Sequence, residues 1–396
     1  MQFHFRLPII LVVSMTLWLF ACADIEGHED SYSNTSKSLR KNSIVATSTP
    51  FKSGEGYAWY RTPGLTKAVN GDLLAFAGAR DERKDDSRGD IVLRRSLDAG
   101  KTWEPMQLIA GKMKNRNGLA SPVTLINGKI IVLYMWSKYT TKHDDRGCRK
   151  MFMRTSSDHG KTWSSRVNIT NQTQRPCIED DDGRVISPPA EGNWGWTGLG
   201  PVHGIVKRHE PHVGRIVFAA RHIDTDDKSY AHVIYSDDEG ESWEIGGSLD
   251  YKSSEGTIVE LPNGEIMLNA RSTGSETNRI VGISVDGGET FGQATQDSEL
   301  IEPGCQGSLL RYGNSIIFSN PQDTENKTTG TIRRSTDNGE TWQFSRKYMP
   351  KKRFSGYSDM VRKNNDIGIL VEWGASIEDP HQEIRYLIVP KEELGL

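Results

Sequence analysis

Along this chain, apolar runs of five to nine residues break at a short polar turn and then resume, six times over. The paired runs span Leu65–Arg80 around Asn70-Gly71, Ser121–Trp136 around Asn127-Gly128, and Val202–Arg221 around a longer His-rich turn. The remaining three are Gly256–Arg271 around Asn263-Gly264, Gly307–Asn320 around Gly313-Asn314, and Tyr357–Trp373 around Asn364-Asn365. Asn-Gly between apolar runs is the strongest short-range hairpin signal, so each pair predicts two antiparallel strands. After each of the first five hairpins stands an octapeptide of the form Ser-x-Asp-x-Gly-x-Thr-Trp: Ser96–Trp103, Ser156–Trp163, Ser236–Trp243, Ser284–Phe291 and Ser335–Trp342. A short carboxylate can collect backbone N–H groups inside a tight turn, and Gly supplies the positive φ. The terminal aromatic offers an apolar face to a neighbouring unit. A unit repeated at this interval predicts an array, not a single layered domain.

Hairpin and octapeptide together make four strands per unit, and six such units predict an all-β, six-bladed β-propeller closed by the chain ends. The last hairpin is followed by Ile384–Val389, read as an isolated strand. Strand direction then sorts the residues. The hairpin turn and the octapeptide, lying between strands three and four, fall on one face. Residues just before strand one and just after strand two fall on the other. The octapeptides are therefore structural, and chemistry is sought on the opposite rim.

That rim gathers Arg61 before the first hairpin, Arg80 and the loop Asp81–Asp90 after it, Glu255 and Arg271 around the fourth, Lys327 after the fifth, and Tyr357 opening the sixth. Several fixed cations with acids and a Tyr suit an anionic ligand. Around them, Tyr60-Arg61-Thr62-Pro63, the Arg80 segment, Met267-Leu268-Asn269-Ala270-Arg271 and Gly356-Tyr357-Ser358-Asp359 resemble the motifs of exo-α-sialidases (neuraminidases) with Asp-box repeats. The likeness runs from about Ala58 to Val389. It implies the sialidase fold, Asp85 as acid/base, Tyr357 as nucleophile and Glu255 as its base. It also implies Arg61, Arg80, Arg271 and Lys327 as substrate-binding cations, with Glu372 bracing Arg61. No metal or cofactor is implied, and the substrates would be sialylated glycoproteins, glycolipids or oligosaccharides.

The residue types fit that chemistry. A sialic acid carries its carboxylate on the anomeric carbon, where a carboxylate nucleophile would meet like charge; a neutral Tyr does not. Tyr is protonated at neutral pH and needs a base in reach. Asp85 would need a raised pKa to donate a proton, which a partly desolvated loop could supply; Asp81, Asp86 and Asp90 compete for that role. Lys327 stands where the family has a third Arg, so the charge is kept and the planar fork is lost. Thr62 replaces a usual Ile. Both departures leave open another ulosonic acid, Kdn or Kdo, and an acidic-glycan-binding propeller without turnover.

Composition adds bounds. The 396 residues carry a net charge of −3, with no basic face to suggest a nucleic-acid partner. Leu7–Ala21 is an apolar run of signal-peptide length ending in Leu19-Phe20-Ala21-Cys22, which resembles a lipoprotein leader. The expected organisation is residues 1–21 as signal peptide, Cys22 as lipidated anchor, 22–50 as Ser-rich tether, and 51–396 as a catalytic domain. Such a protein would be exported, held at the cell envelope or secreted, and monomeric. Cys148, Cys177 and Cys305 cannot all pair within one chain; Cys148 with Cys177 is one possibility. Three weaker signals remain. His209-Glu210-Pro211-His212 lacks zinc-protease spacing, and Glu179–Asp182 reads as a solvated loop, as does Glu260 on its strand. Trp194 or Trp196 could reach over the rim or pack within the domain.

Overall fold

The computed structural model describes residues 45–139, 148–177 and 194–396, apart from positions 225, 251 and 276. The expected leader, Cys22, the tether up to position 44 and the acidic loop Glu179–Asp182 lie outside the described residues. Among the described residues the strands form six antiparallel sheets, each numbered here as a blade in chain order. Blade one runs outward through Trp59–Lys67, Leu73–Arg80, Gly89–Ser96 and Gln107–Ala110. Blades two, four and five repeat this order, and inner strands of successive blades touch around a closed ring.

Two expectations at the chain ends are corrected. Residues Glu383–Val389 do not form an isolated strand, because Asp366–Gly374 pairs with them on one side and Val45–Lys52 on the other. The ring therefore starts at Val45 and not at 51. The N-terminal strand donates the outer edge of blade six, which protects an edge that would otherwise be open. In blade three the inner strand is split into Trp196–Leu199 and Ile205–Val206, both paired with Ile216–Ile223.

The near-continuous apolar runs have a packing reason. Each blade is sandwiched between two others, so both faces of its second strand are buried. Along Leu73–Ala77, Leu74 and Phe76 join the core shared with blade two, while Leu73, Ala75 and Ala77 join the core shared with blade six. Period-two alternation thus assigns neighbours, not inside against outside.

The octapeptides close these interfaces. In the first, Ser96 Oγ donates to Asp98 at 2.8 Å, and Asp98 accepts the Thr102 amide at 2.9 Å and its hydroxyl at 2.7 Å. Ala99 and Gly100 both have positive φ, 62° and 88°. A Cβ on Gly100 would lie 2.1 Å from the Tyr386 ring of blade six, which Trp103 meets edge-on at 5.8 Å. The other four copies repeat the Ser–Asp bond and the positive-φ pair.

Cys148 and Cys177 form a disulfide, and Cys305 is a buried free thiol. Glu260 is buried, not solvated: it accepts the backbone amides of Arg208 and His209 and faces Lys207 Nζ at 3.4 Å. His209 faces this same carboxylate.

Candidate active site

Four inner strands carry a β-bulge at the same level of the ring. Register slips between Arg61 and Gly64, Gly118 and Ser121, Ser253 and Gly256, and Ser355 and Ser358. A bulge bends its strand and re-aims a side chain. Three of them present Arg61, Glu255 and Tyr357 to one pocket. Thr62 sits in the first with φ of 51°, strained for a β-branched residue, and its amide is fixed 2.7 Å from Glu372 Oε1.

Glu372 is the brace beneath. Its Oε1 also takes Arg61 Nε at 3.1 Å, and its Oε2 takes the Tyr357 amide at 3.3 Å and faces His381 at 3.3 Å. Burial would raise its pKa, but Arg61 and His381 outweigh burial and hold it far below the carboxylate range. A Cβ on Gly356 would meet Glu372 Oε2 at 2.2 Å, so only glycine allows this approach.

Tyr357 donates its hydroxyl proton to Glu255 Oε2 in a short hydrogen bond, and Arg271 Nη1 reaches both, at 3.0 Å from the carboxylate and 3.4 Å from the phenol oxygen. Burial, then the Glu255 charge, lift the Tyr357 pKa well above its ordinary value. Burial acts to raise Glu255 too, yet the charges of Arg221 and Arg271 overcome it and keep the group ionised. A protonated phenol on an ionised carboxylate is the resting arrangement. Lys327 Nζ stands 5.5 Å from the Tyr357 ring centroid, over its face.

Asp85 differs from expectation. Its carboxylate lies 2.6 Å from Arg80 Nη1 and 3.5 Å from Arg61 Nη1. Burial pulls its pKa up, but the two guanidinium groups prevail and set it at about 2. The raised value is thus absent, because Asp85 is paired with two cations. Of its competitors, Asp81 pairs with Arg88 at 2.7 Å, and Asp90 is buried under the Lys112 and Met113 amides.

All eight expected residues converge here from blades one, four, five and six. The sequence reading missed Arg221 of blade three, which lines the pocket and approaches Glu255 Oε1 at 3.7 Å. Its signal was available: Arg80, Arg221 and Arg271 each follow an Ala within the last three residues of a second strand. Trp196 does approach this region, its ring between the guanidinium groups of Arg149 (4.1 Å) and Arg221 (4.6 Å). Trp194 is buried and stacks on His222 at 3.9 Å.

A six-bladed propeller with an Arg-lined pocket around a Tyr–Glu pair defines the class, and comparison with known proteins places it. The chain belongs to the BNR repeat-like domain family, whose family model matches residues 71–369. It is 28% identical over 358 residues to a sialidase of Micromonospora viridifaciens, covering 84% of this chain and 53% of that protein. It is 29% identical over 348 residues to a sialidase of Bacteroides fragilis (strain YCH46), covering 80% and 60%. The chain thus spans just over half the length of these relatives. Among solved structures, the Hadza microbial sialidase Hz136 superposes with a TM-score of 0.71 at 25% identity, over 85% of this chain and 67% of that one.

Proposed function

We propose that this chain is an exo-α-sialidase, a glycoside hydrolase that releases terminal α-linked sialic acids from glycoconjugates with net retention. The observation that carries the reading is the Tyr357 hydroxyl donated to an ionised, buried Glu255 inside a cationic pocket.

The substrate carboxylate would bind between Arg61, Arg271 and Lys327, displacing Asp85 from Arg61. Freed of that guanidinium and set beside a new negative charge, Asp85 would bind a proton more readily and could then act as an acid. The Tyr357 oxygen attacks the anomeric carbon as its proton passes to Glu255. The glycosidic C–O bond breaks, and the leaving oxygen takes the proton from Asp85. Water, deprotonated by Asp85, then attacks the anomeric carbon. The Tyr357 oxygen leaves and recovers its proton from Glu255. Two displacements at one carbon restore its configuration.

Incubation with an aryl α-sialoside, following phenol release, tests this. The expected outcome is turnover that falls about a thousandfold in Tyr357→Phe, ~4 kcal/mol of barrier. No phenol release, with acidic glycans still bound, would replace the hydrolase with a binding propeller. Lys327 favours a second reading in which the acid is Kdn or Kdo; turnover confined to those glycosides would select it. Export and a Cys22 lipid anchor belong to the same proposal, supported by the Leu7–Ala21 run.

A further inference from the structure

Beside the catalytic pocket, a second cavity of about 310 Å³ opens between blades one and two. That volume lies at the lower end of the range for small-molecule sites. Asn117 and Trp136 line both cavities, so the two adjoin.

The lining of this second cavity has an unusual charge. Lys112, Lys114, Arg154 and Arg166 contribute four cations, and no lining residue is a carboxylate. Its wall contains aromatic rings: Tyr134 stacks on Phe152 at 5.9 Å, and Trp136 meets Phe152 edge-on at 6.5 Å. Arg166 lies 4.6 Å over the Phe152 ring, which fixes its guanidinium. The Tyr134 hydroxyl faces the Arg154 and Arg166 guanidinium groups, which ties both cations to the cavity wall.

The wall is also built at a cost. Gly111, Lys112 and Met113 have consecutive positive φ values of 122°, 120° and 52°. Asp90 holds this turn by accepting the Lys112 and Met113 amides, each at 2.8 Å. A conformation so poorly populated persists only where its surroundings impose it. Here it directs the Lys112–Lys114 segment toward Arg154 and Arg166.

Converging cations beside the part-exposed Trp136 ring suit one ligand chemistry, an anionic sugar: the ring meets its apolar face while the cations meet its charge. We propose that this cavity is a non-catalytic subsite for an acidic sugar, carboxylated or sulfated, carried by the same glycan or a neighbouring one. The proposal rests on the sialidase reading only in treating the adjacent pocket as the point of cleavage.

The test measures binding by titration calorimetry in the Tyr357→Phe background, where cleavage is suppressed. Two comparisons are made: sulfated against unsulfated N-acetyllactosamine, and α2,8-disialyllactose against 3′-sialyllactose. The first isolates a sulfate, the second an added sialic acid. At least one charged probe is expected to bind about tenfold tighter than its reference, and the probe that does so identifies the source of the anion. That advantage should vanish in Arg154→Gln/Arg166→Gln and shrink several-fold in Lys112→Ala/Lys114→Ala, whose positions are exposed. Aryl sialoside turnover by the corresponding chains with Tyr357 intact should not change. The proposal is overturned if neither charged probe gains over its reference, or if the gain survives both double variants. Absent turnover with a retained gain would sink the sialidase reading and leave the subsite standing.

Discussion

In the proposed mechanism Asp85 serves two states, an ion-pair partner and an acid. It neutralises Arg61 and Arg80, and at about pKa 2 it cannot hold a proton near neutrality. If it becomes the acid only after ligand displaces it, its loss should matter in proportion to the leaving group's need for a proton. Asp85→Ala is therefore expected to cut kcat/KM on sialyllactose by roughly 10²–10⁴-fold, while an activated aryl sialoside loses much less. Equal losses on both would contradict the acid role. Lys327 offers a second test at this scale. Lys327→Arg restores the planar fork and should lower KM for the aryl sialoside by up to about tenfold, within the strength of one charged hydrogen bond; a raised KM would show that Lys327 does not face the carboxylate. The residues read in sequence were those at strand ends beside recognisable motifs. Arg221 escaped because the inner strand before it is split, so blade three lost the motif frame that framed Arg80 and Arg271.

At the level of elements, hairpins were legible because Asn-Gly turns and apolar runs are local signals. The bulges were not, since a slipped register is a relation between two strands. Yet the bulges explain why Arg61, Glu255 and Tyr357 meet. The octapeptide turns were legible in chemistry but not in their partners: each closes against the blade before it, a contact between distant segments. Gly100 makes this testable, combining φ of 88° with a Cβ site 2.1 Å from the Tyr386 ring. Gly100→Ala should destabilise the fold by about 2–4 kcal/mol in denaturant melts, where exposed Lys101→Ala stays within ~0.5 kcal/mol. An equal effect of the two would remove the turn from the list of interface seals.

For the whole molecule, closure is the property that brings distant residues to one mouth. Its central tie is Asp359 of blade six, which accepts the Leu65 amide of blade one at 2.7 Å, the His203 amide ahead of blade three's second inner segment at 3.0 Å, and Ser308 Oγ of blade five at 3.0 Å. The ring should also be acid-sensitive in a defined window. Hydrogen bonds from the Thr102 hydroxyl and amide keep Asp98 at about 2; in Asp158 and Asp286, burial is outweighed by bonds from Thr162 and Thr290, again giving about 2. Carboxylates with lowered folded-state pKa values stabilise fully above the unfolded value near 4, and lose that contribution as pH falls toward 2. The melting temperature is expected to hold above pH 5 and drop between about pH 4 and pH 2; a flat profile there would contradict the role of the turns. The most direct test of the central claim is the anomeric form of the first-formed product, followed by proton NMR during cleavage of an aryl α-sialoside. Attack by Tyr357 followed by water predicts α-sialic acid first, drifting later to the β form. The β anomer appearing first would mean direct attack by water and would contradict the account.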